Sequence, residues 1–562
     1  MDYKCPDCGN KTMDDVLIEI YWCNDCKVPI IREIDFLDKE SCPLCKGKTI
    51  KMSNDLRPVF PEERLLMELI LGKPLEYINS SVWCDANRYY IDGERVTIST
   101  EEMKTHDVDK LRDDLNKYSK DNNYDGFNIR IEKFIEANRD RFVRINQDAI
   151  NFIKPACEGY SDDQLLVSFS GGKDSTVVSD LVIRVLSNPE IKHIFGDTTL
   201  EFPLTLKYRE RFQRDNINTV LSSAKNREKN FYEVCDEIGP PSRVMRWCCH
   251  MFKTGPIGRK IGHMFRNKNM ITFYGVRRFE STSRSKYERI YDSPKIAQQK
   301  VVAPIFNWKD IDIWLYLLTR KVDFNDAYRY GYDRVGCWCC PNNSGRSHLL
   351  SQIYMPDQSN KWREFLVNFA KKIGKPDPEE YVDSGNWKAR QGGYGVEAAM
   401  DVEIEYSNCT TDNNAQIYKL NKPIIDAFYE LFTPLGKISK ELGRKLIGEV
   451  IVLNHKTNMP KLSIQPFNSG DYEIGVKIQI LETRLNKLEY DKLERQISYQ
   501  VRKYNACKGC LGCEAVCKYR AISIRGNSYH IDESKCTRCG KCVDPKYITK
   551  GCLMAKYLYS AK

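Results

Sequence analysis

The chain has 562 residues, 23 cysteines and a formal net charge of +10, with 41% hydrophobic residues. This composition is ordinary for a soluble globular protein, and the length is sufficient for several separate cores. No apolar run reaches the roughly 18 residues that a membrane span needs. The N-terminus lacks the apolar stretch of a secretory signal, so we expect a cytoplasmic protein with no membrane partner.

The cysteines occur at metal-ligand spacings near both ends of the chain, with two small groups between them. In a cytoplasmic protein this favours reduced cysteines that carry metal over disulfides. Three four-thiolate iron–sulfur clusters and one four-cysteine zinc site together carry about −8, which would leave a net charge of about +2. The basic excess is therefore a weak argument for a nucleic-acid partner.

Residues 1–50 predict a zinc ribbon, because they contain three C-x-x-C pairs. The pairs are Cys5/Cys8, Cys23/Cys26 and Cys42/Cys45. We favour a zinc site at Cys23, Cys26, Cys42 and Cys45, because Asp35–Asp38 between these pairs is typical of a hairpin loop. A site that uses Cys5 and Cys8 instead is the alternative. Four thiolates leave no open position on the metal, so the zinc is expected to be structural.

Residues 51–150 predict a mixed α/β accessory region without evident chemistry. Its elements are a short helix at Glu62–Leu71, strand-like pieces at Tyr89–Ile91 and Val96–Ile98, and a charged helical stretch from about Thr105. We interpret the helical stretch as a solvated spacer or a packing arm.

The segment Ser168–Ser175 follows the apolar run Leu165–Val167 and precedes a helical pattern over Thr176–Val185. Two adjacent glycines between a strand and a helix allow backbone N–H groups to point at an anion. The segment differs from a Walker loop in its glycine spacing and resembles the pyrophosphate loop of the adenine-nucleotide hydrolases. The candidate nucleotide ligands in it are Ser170, Gly171, Gly172, Lys173, Asp174 and Ser175.

Residues 151–350 alternate apolar runs with helical patterns, which predicts an α/β fold with a doubly wound parallel sheet. The predicted strands are Leu165–Phe169, His193–Phe195 and Met270–Tyr274. Ligands of such sheets lie at the carboxyl ends of the strands. Ser170, Asp197 and Gly275 each follow one of these runs, so we expect them to converge.

Three further segments resemble motifs of the adenylyl-sulfate and phosphoadenylyl-sulfate reductases. Gly196–Thr205 is similar to that family's Asp-Thr-Gly…Phe-Pro-Glu-Thr, Gly275–Arg284 to its Gly-x-Arg-x-x-x-Ser-x-x-Arg, and Val302–Trp314 to its Pro-x-x-x-Trp…Asp-x-Trp. The resemblance covers about residues 160–345. It implies nucleotide contacts from Asp197, Thr198, Gly275, Arg277 and Arg284.

The same resemblance implies a [4Fe–4S] cluster beside the nucleotide, held by Cys248, Cys249, Cys337 and Cys340, with Cys339 spare or able to exchange roles. Lys253 matches the family's basic residue after the first pair, but Phe252 stands where an arginine is expected. The family's nucleophilic Glu-Cys-Gly-x-His segment has no counterpart in these residues. Cys409 is the candidate substitute, which gives Lys173, Arg277, Arg284 and Cys409 as catalytic candidates.

Residues 351–500 predict an accessory α+β region, and residues 501–562 a ferredoxin-type α+β domain with two [4Fe–4S] clusters. The cysteines follow C-x2-C-x2-C-x3-C and then C-x2-C-x2-C with a later cysteine. In bacterial-type ferredoxins the fourth cysteine of each run binds the other cluster. One cluster is then expected on Cys507, Cys510, Cys513 and Cys552, and the other on Cys517, Cys536, Cys539 and Cys542.

The first function hypothesis is an oxidoreductase that reduces an adenylated sulfate to sulfite, with electrons delivered through the ferredoxin clusters by a low-potential donor. Its cofactors are three [4Fe–4S] clusters and one Zn²⁺, and its substrate is adenylyl sulfate (APS) or phosphoadenylyl sulfate (PAPS). The second hypothesis is an ATP-using sulfurtransferase that adenylates and thiolates a nucleic acid. The third is a nucleotide-binding, electron-bridging subunit without catalysis. The sequence does not decide the oligomeric state, and a homo-oligomer is one possibility.

Overall fold

The structure is a computed structural model that describes residues 18–34, 40–99, 102–103, 105–265, 268–281, 284–293, 296, 298–389, 404–469 and 472–554. The first described unit is an antiparallel sheet in the order β2-β1-β3. Its strands are β1 (Ile18–Cys23), β2 (Val28–Glu33) and β3 (Thr49–Ser53). Cys5, Cys8 and the predicted hairpin loop Asp35–Asp38 lie outside the described residues.

The accessory region combines a four-stranded sheet in the order β4-β5-β6-β7 with helices. The strands are β4 (Arg57–Pro58), β5 (Val82–Asp85), β6 (Arg88–Ile91) and β7 (Glu94–Thr97). The helices are α1 (Pro61–Ile70), α2 (Val108–Tyr118), α3 (Asp125–Ala137) and α4 (Arg139–Ala156). The predicted short helix and strands are confirmed. The helical stretch is a packing arm, because Arg141 of α4 donates to both carboxylate oxygens of Asp312 at 2.9 Å.

The central sheet has six strands in the order β10-β9-β8-β11-β13-β12, with all neighbours parallel except the antiparallel edge strand β12. Its strands are β8 (Leu165–Ser168), β9 (Lys192–Asp197), β10 (Val220–Lys225), β11 (Met270–Phe273), β12 (Ile290–Asp292) and β13 (Gln299–Val302). The strand order reverses between β8 and β11, where a doubly wound sheet opens its ligand crevice. The predicted parallel α/β core is therefore confirmed.

Helices cover this sheet and continue beyond it. They are α5 (Lys173–Leu186), α6 (Pro203–Asp215), α7 (Phe231–Ile238), α8 (Trp247–Cys249), α9 (Gly255–Phe265), α10 (Asp310–Arg320), α11 (Gly345–Tyr354), α12 (Pro356–Lys372) and α13 (Pro378–Asp383). A π-helical turn, His250–Thr254, joins α8 to α9. Among the helices that the structure describes, none combines the length and apolar character that crossing a membrane requires.

The second accessory region is built on an antiparallel sheet in the order β14-β15-β19-β18-β17-β16. Its elements are β14 (Tyr406–Asn408), β15 (Ala415–Lys419), α14 (Asp426–Glu430), β16 (Lys437–Ser439), β17 (Val450–Leu453), β18 (Pro460–Ser469), β19 (Tyr472–Ile480) and α15 (Lys487–Ala506). The C-terminal cysteine-rich module follows with α16 (Gly512–Val516), β20 (Ile522–Arg525) and β21 (Ser528–Ile531).

One hydrophobic core joins this accessory sheet to the cysteine-rich module. It includes Ile464 and Ile478 of the sheet, Val501 of α15, and Val516 and Ile522 of the module. The two regions therefore share their buried surface, and the apolar burial that stabilises one also stabilises the other.

The cysteine-rich module also packs closely against helix α9. A Cβ atom added at Gly255 would lie 2.0 Å from the carbonyl oxygen of Cys510, and one at Gly258 would lie 2.4 Å from the Cβ of Ala515. Next to these glycines, Arg259 donates to both carboxylate oxygens of Glu514. Only glycine lets the two backbones approach this closely.

Candidate nucleotide-binding site and cysteine sites

The glycine turn after β8 is fixed by its own hydroxyl groups. Ser175 Oγ accepts from the backbone N–H of Ser170 at 3.1 Å and donates to the carbonyl of Gly172 at 2.8 Å. Gly171 has φ of +71°, and a Cβ there would lie 2.8 Å from the Cγ2 of Thr205. Both the backbone angle and the space require glycine at this position. The turn leads directly into α5, whose N-terminus favours an anion.

The predicted convergence at the strand ends is present for Gly275. A Cβ atom there would lie 2.8 Å from the carbonyl carbon of Asp174. The backbone of Gly275 therefore packs directly against the end of the glycine turn. Asp197 ends the neighbouring strand β9, where its carboxylate accepts the N–H of Thr199 at 3.0 Å. The turn thus lies at the reversal point of the sheet.

Two buried cations, Lys173 and Arg277, each pair with the same two carboxylates, Asp174 and Asp310, next to the glycine turn. Lys173 is 4% exposed, and its Nζ lies 3.0 Å from Asp310 and 3.3 Å from Asp174. Arg277 binds the same two carboxylates, at 2.8 Å for Asp310. Burial raises the pKa of Asp174, but Arg277 and Lys173 outweigh it and hold this pKa at about 2. Asp174 is therefore ionised, and Lys173 and Arg277 have their positions fixed by carboxylates.

Arg284 lies at the outer side of this group, paired with Glu280. Burial lowers the pKa of Arg284, and the nearby Arg334 lowers it further by repulsion. Two adjacent guanidinium groups that repel one another are suited to hold an anion between them, because their planar forks match phosphate or sulfate oxygens. Arg334 was not among the residues that the sequence singled out, since it lies in no recognised motif.

The central cysteines approach one another from two segments. Cys248 and Cys249 are in α8, and Cys337 is in a loop whose bridge to Glu201 places it beside the end of β9. Thr198 Oγ1 lies 3.5 Å from Cys337 Sγ, which links the predicted nucleotide segment to the cysteines. The backbone N–H of Cys340 donates to the carbonyl of Cys337 at 3.1 Å.

Positive charge at these cysteines comes from a residue that sequence reasoning missed. Arg246 Nη2 lies 3.7 Å from Cys249 Sγ, and Cys249, Cys340 and Cys248 all raise the pKa of this arginine against the effect of burial. A hydrogen bond from Cys248, and then Arg246, lower the pKa of Cys249 to about 5. Phe252, where the resemblance implies an arginine, is buried in the core. Arg246, with a smaller effect from Lys253, lowers the pKa of Cys249 and places positive charge at these cysteines.

Cys339 lies in the apolar core beside this group. It is 4% exposed, and the core also contains Cys235 and Trp362. Burial raises the pKa of Cys339, and Cys337 raises it further. Its role, spare or exchangeable with a cluster ligand, stays a prediction.

Comparisons with known proteins agree with these motifs. A profile of the phosphoadenosine phosphosulfate reductase domain matches residues 164–343. An adenosine 5′-phosphosulfate reductase of Anoxybacillus flavithermus is 30% identical over 198 residues, which cover 34% of this chain and 78% of that protein. The chain belongs to the phosphoadenosine phosphosulfate reductase family.

Other relatives match a larger part of the chain. Two uncharacterized proteins of Methanocaldococcus jannaschii are 30% identical over 311 residues and 31% over 264 residues, which cover 54% and 46% of this chain. The chain spans 63% and 61% of their lengths. The crystal structure of a phosphoadenylyl-sulfate reductase from Candida auris, in a phosphate complex, has 16% identity and a TM-score of 0.28, covering 35% of this chain and 94% of its own.

Asp55 of the accessory region stabilises the candidate nucleotide site, although it lies 255 residues before Asp310 in the sequence. Its carboxylate accepts the backbone N–H groups of Asp310 and Ile311, both at 3.0 Å, and so caps the first turn of α10. Asp310 in turn holds Lys173. Burial, followed by repulsion from Asp310, raises the pKa of Asp55 to about 7.

We expect Asp55→Asn to remove a pH dependence of stability. Between about pH 4 and pH 7 the folded chain keeps the Asp55 proton that the unfolded chain has released, so the wild-type free energy of unfolding decreases as the pH rises. The decrease is at most about 1.4 kcal/mol per pH unit, and Asp55→Asn should lack it. Urea unfolding at several pH values measures the difference, with the exposed Asp121→Asn as control. Parallel pH profiles for the wild type and Asp55→Asn would contradict this prediction.

Electrostatic effects among the C-terminal thiols follow the two groups that their spacing predicts. Burial raises the pKa of Cys510, and Cys552 and Cys507 raise it further; the same three thiols act on Cys513. The first predicted group is Cys507, Cys510, Cys513 and Cys552. In the second predicted group, Cys517, Cys536, Cys539 and Cys542, burial raises the pKa of Cys536 and Cys542, and Cys517 and Cys539 raise both further. That these groups hold clusters stays a prediction. The first group is mostly buried, whereas Cys539 of the second is exposed.

The four favoured N-terminal cysteines also come together. The sulfur atoms of Cys23, Cys26, Cys42 and Cys45 all lie within 4.8 Å of one another. Two of the Sγ–Sγ distances are 3.5 Å, for Cys23 and Cys45, and 3.8 Å, for Cys26 and Cys42. A tetrahedral site with Zn–S bonds of about 2.3 Å has sulfur atoms about 3.8 Å apart. The group therefore fits zinc.

We expect Cys42→Ala to abolish zinc binding and to lower the melting temperature. Binding energy at a structural zinc site is folding energy, because the unfolded chain has no preformed site. Metal analysis should fall from about one zinc per chain to nearly none. Cys84→Ala is the matched control, since Cys84 is equally buried but lies outside every cysteine group. Equal zinc content in the two variants would refute the assignment.

Cys409 lies in the second accessory sheet, immediately after β14. Its Sγ contacts Thr411 Oγ1 at 3.3 Å, and a hydrogen bond with Thr411 lowers the pKa of the thiol. In the part of the chain that the structure describes, its side-chain contacts are with Thr411 and Asp412, not with the glycine turn. The catalytic role of Cys409 stays a prediction.

Proposed function

We propose that the protein reduces an adenylated sulfate, APS or PAPS, to sulfite, with electrons that enter through the C-terminal module. The bond between sulfur and the bridging phosphate oxygen breaks. Sulfur takes up two electrons and leaves as sulfite, and the oxygen stays on the adenosine phosphate. No oxidant is required, and the electrons come from a low-potential donor.

The observation that carries this proposal is the contact between Cys510 and Gly255. The cysteine-rich module rests on α9, and α9 continues through the π turn from the helix that contains Cys248 and Cys249. Ion pairs of Arg259 with Glu514 and of Lys508 with Glu237 flank the contact. An electron module fixed against the cysteines beside the nucleotide turn is the arrangement that a self-contained reductase needs.

The cysteine groups suit the cofactors that this function needs. Beyond the effect of burial, neighbouring thiols of the same group raise the pKa of Cys510 and Cys542, as neighbouring ligands of one anionic cluster would. A bound [4Fe–4S] cluster would supply one electron at a time. We assign one cluster to Cys507, Cys510, Cys513 and Cys552, one to Cys517, Cys536, Cys539 and Cys542, and the central one to Cys248, Cys249, Cys337 and Cys340. We assign a structural zinc to Cys23, Cys26, Cys42 and Cys45.

The remaining roles fall to side chains at the glycine turn. Gly171, Gly172 and the N-terminus of α5 would bind phosphate oxygens, with Lys173 as the adjacent positive charge. Arg284 and Arg334 would bind the sulfate end, since their mutual repulsion decreases when an anion lies between them. Thr198, which follows β9 and lies 3.5 Å from Cys337 Sγ, would orient the substrate toward Cys337.

A second candidate function is ATP-dependent sulfur transfer to a nucleic acid. The ionised carboxylates of Asp174 and Asp310 favour it, because they would attract the Mg²⁺ that accompanies ATP and would repel a metal-free sulfonucleotide. This function would release AMP and pyrophosphate only when RNA or DNA is present.

Anaerobic assays distinguish the two. We expect dithionite-reduced protein to release sulfite from APS or PAPS without consuming ATP. Cys513→Ala should abolish sulfite release, whereas Cys409→Ala should retain it unless Cys409 is the nucleophile. ATP cleavage to pyrophosphate that requires tRNA or DNA, and that persists in Cys513→Ala, would overturn the reductase proposal in favour of sulfur transfer.

A further inference from the structure

Lys503 is a buried lysine in the last turn of α15, four residues before Cys507. It is 2% exposed. Its Nζ donates to Gln500 Oε1 at 3.0 Å and to the backbone carbonyl of Cys542 at 2.6 Å. Both acceptors are neutral, and among the described ion pairs none joins Lys503 to a carboxylate. A buried ammonium group is strongly unfavourable without a negative charge nearby.

The nearest candidates for that negative charge are the two C-terminal cysteine groups. Cys542, whose backbone carbonyl Lys503 contacts at 2.6 Å, belongs to one group. Cys507, which caps the C-terminus of the helix that contains Lys503, belongs to the other group. Cys513 and Cys542 both pack in the core that contains Tyr529, so a single ammonium group lies beside both groups.

Tyr529 lies in the same space between the groups. Lys503 Nζ is 5.7 Å from the centre of its ring. The Tyr529 hydroxyl is buried and has no hydrogen-bond partner within the described part of the chain. Burial, followed by Cys513, Cys542 and Cys517, raises the pKa of Tyr529. Neutral Tyr529 adds no negative charge, which leaves Lys503 as the charged group between the two cysteine groups.

We propose that Lys503 is a positioning residue for electrons: a fixed positive charge, shared by the two ferredoxin-type clusters, that raises the reduction potential of both. This inference rests on the proposed cluster ligands but not on the substrate. Each cluster gains one negative charge when a reductant such as dithionite delivers an electron. A nearby ammonium stabilises the reduced form more than the oxidised form.

The test is a dithionite titration of the full chain, followed by electron paramagnetic resonance without nucleotide. Lys503→Met removes the charge with little change in volume, Lys503→Gln also keeps a hydrogen-bond donor, and Lys503→Arg keeps the charge. We expect the equilibrium constant for reduction to fall at least about tenfold at both C-terminal clusters in the first two variants, which is about 59 mV for one electron. Lys503→Arg and the control Lys492→Met, exposed on the same helix, should match the wild type.

Any result other than a lower potential at both C-terminal clusters overturns the proposal. A potential that changes only at the cluster of Cys542 would assign Lys503 a local hydrogen-bonding role. Unchanged potentials in Lys503→Gln with full iron content would remove the role altogether. Iron loss in Lys503→Gln, reversed in Lys503→Arg, would make the charge necessary for cluster assembly and not for potential. A wild type without C-terminal iron would instead refute the cluster assignment, and absence of sulfite release would affect only the proposed function.

Discussion

Replacing Gly255 with alanine is expected to disconnect the C-terminal module from the central cysteines. The added Cβ would lie 2.0 Å from the Cys510 carbonyl oxygen, and this neighbour is backbone that cannot rotate away. Overpacking of this kind costs about 1–3 kcal/mol. Electron tunnelling slows as the distance between donor and acceptor increases. We therefore expect electron transfer from the module to the central site to be slower in Gly255→Ala than in the wild type.

The matched control for Gly255→Ala is Gly262→Ala on the same helix. A Cβ at Gly262 meets nothing within 4 Å. Alanine in a helix is favoured over glycine by about 1 kcal/mol, so Gly262→Ala should be as stable as the wild type or more stable. Stopped-flow reduction by dithionite would follow the proposed central cluster, and iron analysis would show whether the module keeps its proposed clusters. Equal central reduction rates in Gly255→Ala and Gly262→Ala would contradict a route through this contact.

Lys173→Met is expected to abolish tight nucleotide binding. The lysine is the buried cation of the glycine turn, and charge-assisted hydrogen bonds contribute about 1.5–3 kcal/mol each. Its loss also leaves Asp174 and Asp310 with Arg277 as their shared cation, so the site becomes more negative. Both effects oppose an anionic ligand. We expect the dissociation constant for APS, PAPS or ATP to rise at least about 100-fold, which is about 2.8 kcal/mol.

A charge-balanced double variant distinguishes the effect of Lys173 on folding stability from its effect on nucleotide binding. Lys173→Met/Asp310→Asn removes one positive and one negative charge, so it should recover most of the folding stability that Lys173→Met loses. It should not recover nucleotide affinity. Calorimetric titration and urea unfolding measure the two quantities, with the exposed Lys207→Met as control. Nucleotide affinity that returns in the double variant would show that Lys173 acts only on folding.

The parts of the fold that depend on local pattern could be predicted from the sequence. The apolar runs that became β8, β9 and β11 mark the parallel sheet, and the run Tyr472–Ile480 is strand β19. Gly275 was expected at the glycine turn because residues after parallel strands meet at one edge of the sheet. The pattern of the second accessory region gave only an α+β module, since its short edge strands carry little periodic signal.

Residues that act across long separations could not be predicted. Asp55 caps a helix 255 residues later, and an isolated aspartate in an accessory region has no distinguishing neighbours. Arg246 and Arg334 lie in no motif that the sequence analysis identified. Lys503 is one of many lysines in a charged helix, and its burial arises only when the two cysteine groups fold around it. Spacing identifies ligands of a metal, but it does not identify the charges around them.

The contact between α9 and the C-terminal module also has a consequence for biosynthesis. Gly255 and Gly258 are translated some 250 residues before Cys510 and Ala515, which cover them. Until the ribosome has made those residues, the glycine face of α9 stays bare, and the apolar core that contains both Met251 and Cys510 lacks part of its contents. A nascent chain of this length is exposed to chaperones and proteases throughout that interval. Synthesis of the last cysteines is therefore also the step that completes the core of the earlier half of the molecule.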